Sequence, residues 1–239
     1  MVDRAEPEWA AAKPWSGGGR EDLAAAVRRL ISLTVTATAP PGVLADAATR
    51  AEALADELEG HVPVPGDEPT TRFAERPVPA DEVDMLAAAM PFDVIIGTCN
   101  PLALPIAIEF EEHKAIGDAV FTAPYEGAPG CVHGAVLAGA FDIMLTAANV
   151  IASGAGPTVT LSIRYLLPTR VDEPCRFESW VTSLDERRTH SRGRLVQGGV
   201  VTVEAVGEFV NMERSRITSL HRRGAAPASG GAAGTGDSS

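Results

Sequence analysis

Residues 127–153 read GAPGCVHGAVLAGAFDIMLTAANVIAS, a loop of small residues that runs into a long apolar helix with a carboxylate at its middle. Leu137, Ala138, Ala140, Phe141, Met144 and Leu145 give Asp142 little polar company along the chain. An unpaired carboxylate in apolar surroundings is costly, so this residue needs either a partner or a reaction. Residues 132–152 are long and apolar enough to be mistaken for a membrane span, but His133 at one end and Asp142 at the centre make that placement expensive. The reading is a buried core helix.

The hydrophobic period changes on both sides of this helix. Before it, Leu104, Ile106, Ile108 and Phe110 alternate with Pro105, Ala107 and Glu109, and residues 118–125 follow as a second strand. After it, residues 158–167, 175–184, 187–195 and 200–210 read as four more. In the first of these Val159, Leu161, Ile163 and Tyr165 share one face, taken as core, and Thr158, Thr160, Ser162 and Arg164 share the other. Two strands, a long apolar helix and four strands suit an α+β fold, an antiparallel sheet curled around a central helix.

Upstream, residues 21–33 carry Leu23, Val27 and Leu30 at helical spacing, and residues 41–60 carry Val43, Leu44, Ala47, Leu54 and Leu58. Five prolines in residues 61–81 make an extended connector. The organisation expected is a flexible N-terminus over 1–20, a helical extension with its Pro-rich connector over 21–75, the main domain over 91–212 and a disordered tail over 223–239.

A chain of 239 residues at 45% hydrophobic content supports one good core. Its net charge of −12 repels nucleic acid and anionic membrane, so any polyanionic ligand must meet a local basic patch. Cys99, Cys131 and Cys175 lie far apart, with no CxxC and no histidine at ligand spacing, which argues against a zinc site or a disulfide framework and for a reducing cytoplasm. The first ten residues, MVDRAEPEWA, place acids and a proline where a secretory signal needs a basic start and an apolar run.

The strand and helix order, with YEGAPGCVHGAVLAGAFD (125–142), GPTVTLSIRYLLP (156–168) and EAVGEFV (204–210), resembles the hotdog-fold acyl-CoA thioesterases, in particular the phenylacetate-pathway (PaaI-type) branch and its human relatives. The resemblance spans about residues 91–212. It rests on a PGxxHGG segment, an aspartate nine residues after the histidine and a threonine opening the next strand. It implies a hotdog fold, hydrolysis of an acyl-CoA thioester in lipid or fatty acid metabolism without a cofactor, and a homodimer or dimer of dimers. By position His133 and Gly134 match the HG motif, Asp142 the catalytic acid and Thr158 the threonine near the reacting centre. The second glycine of the motif is Ala135 here, which bears on rate and substrate range more than on reaction type.

The chemistry fits these residue types. At the helix start the first amides lack carbonyl partners and sit at the positive end of the dipole, so the Gly134 amide can stabilise the oxyanion of an attacked thioester while His133 orients the loop or touches the carbonyl. Asp142 serves either as general base on a water or as a nucleophile that forms a mixed anhydride. Nine residues of helix advance about 14 Å and turn about 900°, close to half a turn net, so Asp142 and the helix start of one chain point apart. A site using both must draw on two chains, as two antiparallel helices in a two-fold dimer would provide.

The phosphates of coenzyme A need a basic patch, and LDERRTHSRGRL (184–195) is the candidate. Arg188, His190, Arg192 and Arg194 alternate on one face, Arg187 precedes them and Arg164 lies on a nearby strand. The substrate-binding set is therefore Arg164, Arg187, Arg188, Thr189, His190 and Arg192, with Thr189 and Ser191 directed to the opposite face. The bland alternative is a solvated strand face. Cys131 invites a nucleophile reading but lacks a His-Asn or His-Asp relay, and a small packing residue is the simpler account. Phe92, Phe121, Phe141, Met144 and Trp180 either line an acyl tunnel or belong to the core.

Two rivals accompany the thioesterase reading. A hotdog hydratase needs an aspartate five residues and an asparagine three residues before the histidine, where this chain has Ala128 and Gly130. A non-catalytic acyl-CoA-binding module would leave Asp142 dispensable.

Overall fold

In the computed structural model residues 19–62, 86, 90–152 and 156–211 are described. Residues 1–18 of the expected flexible N-terminus, most of the proline-rich connector and the tail over 223–239 fall outside these residues, while Arg20 already belongs to a helix.

Helix α1 (Arg20–Thr36) begins after Gly19, whose left-handed φ of 83° suits a residue without Cβ. Helix α2 (Pro41–Glu59) opens on a proline, tolerated there because the first helical amide has no intrahelical acceptor. Between them Ala37 and Pro40 are extended. Residues before proline are pushed out of the helical region, which keeps the two helices separate. Helix α1 is seated by the buried Ala24 and by Arg28, whose guanidinium donates to the Asn100 carbonyl at 2.8 Å.

Six strands form one antiparallel sheet in the order β1-β2-β4-β5-β6-β3. They are β1 (Ile106–Glu111), β2 (Lys114–Val120), β3 (Thr158–Tyr165), β4 (Pro174–Leu184), β5 (Arg188–Gln197) and β6 (Val200–Val210). The stretch expected as a strand over 118–125 divides: β2 ends at Val120 and a 3-10 turn occupies Ala123–Tyr125, where Pro124 has no amide for a ladder. The face of β3 expected as core also needs correction. Leu161 and Ile163 pack on the core, but Val159 and Tyr165 are 50% and 53% exposed. A bulge between Thr158 and Thr160 takes Val159 out of register, and Tyr165 turns to the helix described next.

Helix α3 (Gly134–Ile151) lies across one face of the sheet, with Phe141, Met144 and Leu145 wholly buried. Each such side chain contributes about 1.5–3 kcal/mol by leaving water. The apolar stretch long enough to cross a membrane is thus a core helix in this fold. The sheet makes room for it with small residues. Strand register aligns Ala115, Ser179, Gly193 and Ala205 in one row across four adjacent strands. A Cβ on Gly193 would lie 2.7 Å from Ser179 Oγ and 3.1 Å from the Phe141 ring, and one on Gly207 would lie 2.8 Å from Leu145. Large side chains border the trough, Phe177 meeting Phe141 edge-to-face at 5.1 Å between centroids.

Candidate active site

The loop before α3 is built by backbone constraints. Gly130 is left-handed at φ 73°, and the Glu126 carboxylate accepts from its amide. The Gly127 amide donates to Cys131 O at 2.9 Å, and a Cβ on Gly127 would come within 2.9 Å of the His133 Cα. A second segment clamps the loop, with Val132 N donating to Thr169 O at 2.8 Å and Val171 N to Gly130 O at 3.2 Å. His133 is then held by its own amide, which donates to Tyr125 O at 2.8 Å. Burial raises the Tyr125 phenol above its ordinary range, with Arg28 opposing the shift.

His133 is the N-cap of α3. Its Nδ1 accepts from Ala135 N at 3.0 Å, and its carbonyl accepts from Val136 and Leu137. With Nδ1 accepting, the neutral ring carries its proton on Nε2. The expected choice between orienting the loop and touching a carbonyl is answered in part: the ring caps the helix. The Gly134 amide, one residue further, has no acceptor among the described residues. Its carbonyl accepts from the Tyr165 hydroxyl at 2.7 Å, and the same ring would lie 3.2 Å from a Cβ at position 134. Ala135 is exposed, so the methyl that departs from the motif meets no crowding within one chain.

Two turns along, Asp142 does not enter the sheet trough. It lies with Ala135, Ala138, Gly139 and Thr146 on the less covered side of α3, while Phe141 and Met144 fill the core. Its partner is Thr158 at the start of β3, whose Oγ1 donates to Asp142 Oδ1 at 2.7 Å. The residue that seemed an unpaired buried acid is therefore half-buried, with one oxygen engaged and Oδ2 free of hydrogen bonds among the described residues. Strand β3 touches α3 at both of its ends, through Thr158 to Asp142 and through Tyr165 to Gly134.

The arginine-rich strand is placed otherwise than expected. Arg188, His190, Arg192 and Arg194 do share a face, but it is the sheet face away from α3, and acids from neighbouring strands interleave with them. Arg194 pairs with Glu178 at 2.8 Å and Arg164 with Glu204 at 3.1 Å, while Arg188 lies 3.2 Å from Glu208. This is an alternating-charge ladder rather than a basic patch, since cross-strand register brings the glutamates between the arginines. Thr189 is corrected as a ligand-contacting residue: it is wholly buried and donates to Asn211 Oδ1 at 2.6 Å. Arg187 and Arg192 have no acidic partner among the described residues, and Arg187 sits in the β4–β5 turn with its amide on Asp185 Oδ1 at 2.7 Å.

Of the aromatic and sulfur-containing residues offered for a tunnel, Phe121, Phe141 and Met144 are core, and Trp180 lies on the outer sheet face beneath Lys114 at 5.9 Å. Sequence reasoning missed Tyr165 and Tyr125, whose roles come from pairings with Gly134 and His133 that lie far apart along the chain. A cleft of about 1010 Å³ is lined by Arg28, Leu104, Tyr125, Cys175 and Arg176 among others, at the β1–β2 side of the sheet and away from Asp142. Burial, reinforced by the Asp118 charge, pushes the Cys175 thiol up to about 12, so it is no nucleophile.

Residues 129–216 match the family model of the thioesterase superfamily. The fold is a hotdog fold, and this segment is similar to the thioesterase superfamily. A thioesterase superfamily protein of known crystal structure is 28% identical, covering 83% of this chain and 97% of its own, with a TM-score of 0.67. The Escherichia coli PaaI protein from the phenylacetic acid degradation operon is 17% identical over 46% of this chain and 81% of its own, at a TM-score of 0.44. Zebrafish thioesterase superfamily member 2 is 14% identical over 45% of this chain and 82% of its own, at 0.43. No curated protein matches the sequence. In this hotdog domain the family segment begins in the loop before α3 and runs past β6, so His133, Gly134, Asp142 and Thr158 all lie inside it.

Proposed function

We propose that the hotdog domain hydrolyses an acyl-CoA thioester to the free acid and coenzyme A, with each reaction centre shared between two chains. The observation that carries this reading is the pair of groups left available on α3: the Asp142 carboxylate oriented by Thr158, and the Gly134 amide without an acceptor among the described residues. They stand eight residues apart on one helix, about 12 Å along its axis, too far to meet on one thioester carbonyl. A partner helix running antiparallel brings one chain's carboxylate to the other's amide.

In the reaction the carbonyl oxygen takes the electron pair of the C=O bond as the attacking oxygen adds, and the Gly134 amide donates to that oxyanion. Collapse breaks the carbon–sulfur bond and releases the coenzyme thiol. Asp142 either removes a proton from the attacking water or adds directly to give an anhydride that water opens. His133 positions the helix start. The free edge of β3, with Val159 and Tyr165 exposed beside both sites, is the natural seat of the two-fold interface. For the coenzyme phosphates the candidates are Arg187 and Arg192 with His190 between them, since Arg164 and Arg188 face glutamates.

Asp142→Asn is expected to reduce release of free thiol from acyl-CoA esters at least about a hundredfold with the oligomer intact. Undiminished turnover in Asp142→Asn would remove Asp142 from the chemistry, whereas no thiol release by the native chain from any acyl-CoA ester would favour a binding module without catalysis. Arg192→Ala is expected to raise KM about tenfold with kcat unchanged, the loss of one charge-assisted contact.

A further inference from the structure

The helical extension leaves two matched apolar rows uncovered. In α2, Leu44, Ala47, Ala51, Leu54 and Leu58 follow steps of three and four residues, and every residue of the helix is exposed. In α1, which is seated through Ala24 and Arg28, Leu23, Ala26, Leu30 and Leu33 repeat the same steps on a different side, with Leu30 and Leu33 51% and 44% exposed. Such spacing is the seam by which one helix packs along another. The two rows belong to adjacent helices, yet α1 packs on the 3-10 turn at Ala123–Tyr125, and no hydrogen bond or ion pair joins α1 to α2 among the described residues.

We propose that α2 of one chain packs along the outward row of α1 in a second copy, and reciprocally, as an exchange of arms about a two-fold axis. Three observations select this occupant. The rows fit in one antiparallel register, with Leu23 opposite Leu58, Ala26 opposite Leu54, Leu30 opposite Ala51 and Leu33 opposite Ala47. Charge rejects the pairing of two α2 helices. Helix α2 carries Asp46, Glu52, Asp56, Glu57 and Glu59 against Arg50, whereas α1 carries Arg20, Arg28 and Arg29 against Glu21 and Asp22. Two α2 helices side by side repel, and an α2 beside an α1 attracts. Finally, the extended Ala37–Pro40 connector holds α2 off its own α1, the condition under which an identical element is exchanged between copies.

The test is oxidative cross-linking of the full chain in a Cys131→Ser background, because Cys99 and Cys175 are buried. The double variant Leu30→Cys/Ala51→Cys, with Leu30→Cys/Ala47→Cys covering the register one turn away, replaces exposed side chains by small ones. Arm exchange predicts chains linked into a dimer on a non-reducing gel, lost on reduction, while each single variant stays monomeric there. Linkage within one chain, no linkage in either double variant, or dimers from a single variant would each overturn the proposal. The readout is independent of hydrolysis, so an inactive domain leaves it fully testable.

Discussion

Thr158 and Asp142 meet across an exposed gap between β3 and α3, and the bond fixes which carboxylate oxygen points outward. Thr158→Val removes the donor while keeping the shape, so kcat should fall about tenfold, and Thr158→Ser should restore most of it; equal kcat in all three would deny Thr158 an orienting role. Asp185 illustrates a second local device. The Arg187 and Arg188 amides in the β4–β5 turn hold its carboxyl below the usual carboxylate range. A lowered folded-state pKa contributes stability that is present above the unfolded value of about 3.9 and is lost as pH falls through the folded one. Hydrogen exchange of those two amides should accelerate in acid relative to neighbouring strand amides, and Asp185→Ala should abolish that acid dependence. At this scale the sequence placed Asp142 within the central helix and His133 and Gly134 at its start, because motif spacing is local. It could not show that Tyr165 reaches Gly134 or that Glu126 accepts from the Gly130 amide, since both depend on how loop and strand fold back.

Elements were legible where one face is buried and the period is clean. The core helix and the inward row of β1 read directly from their spacing. Strand β3 misled because a bulge breaks the alternation that the period assumes. The trough beneath α3 was not legible: Ser179, Gly193 and Ala205 are ordinary small residues until register aligns them. The consequence is measurable. Gly193→Ala places a methyl against Ser179 Oγ, Phe141 and the Glu178 carbonyl, and should destabilise the fold by about 1–3 kcal/mol in denaturant unfolding. Ser179→Ala should be near neutral or stabilising, since the Ser179 hydroxyl is buried without a hydrogen-bond partner among the described residues. Combining the two should recover part of the loss, and strict additivity would show that the clash with Ser179 is not its source. The arginine strand failed as a basic patch for a related reason, because one strand's sequence does not contain the glutamates that its neighbours set between the arginines.

For the whole molecule, one helix supplies core packing and also carries the two groups proposed to react, and the roughly 12 Å between them along its axis keeps them from meeting within a chain. The account therefore stands or falls on complementation between two inactive chains. Asp142→Asn removes the acid; Gly134→Pro removes the amide at a first helical position, where the helix backbone and the extended His133 accept proline and the half-exposed Tyr165 ring shifts by a few tenths of an ångström to admit its Cβ. A mixed dimer keeps one intact centre, with the acid of the Gly134→Pro chain and the amide of the Asp142→Asn chain. Refolding the two variants together should restore acyl-CoA hydrolysis that neither has alone, and mixtures as inactive as their components would contradict the shared site.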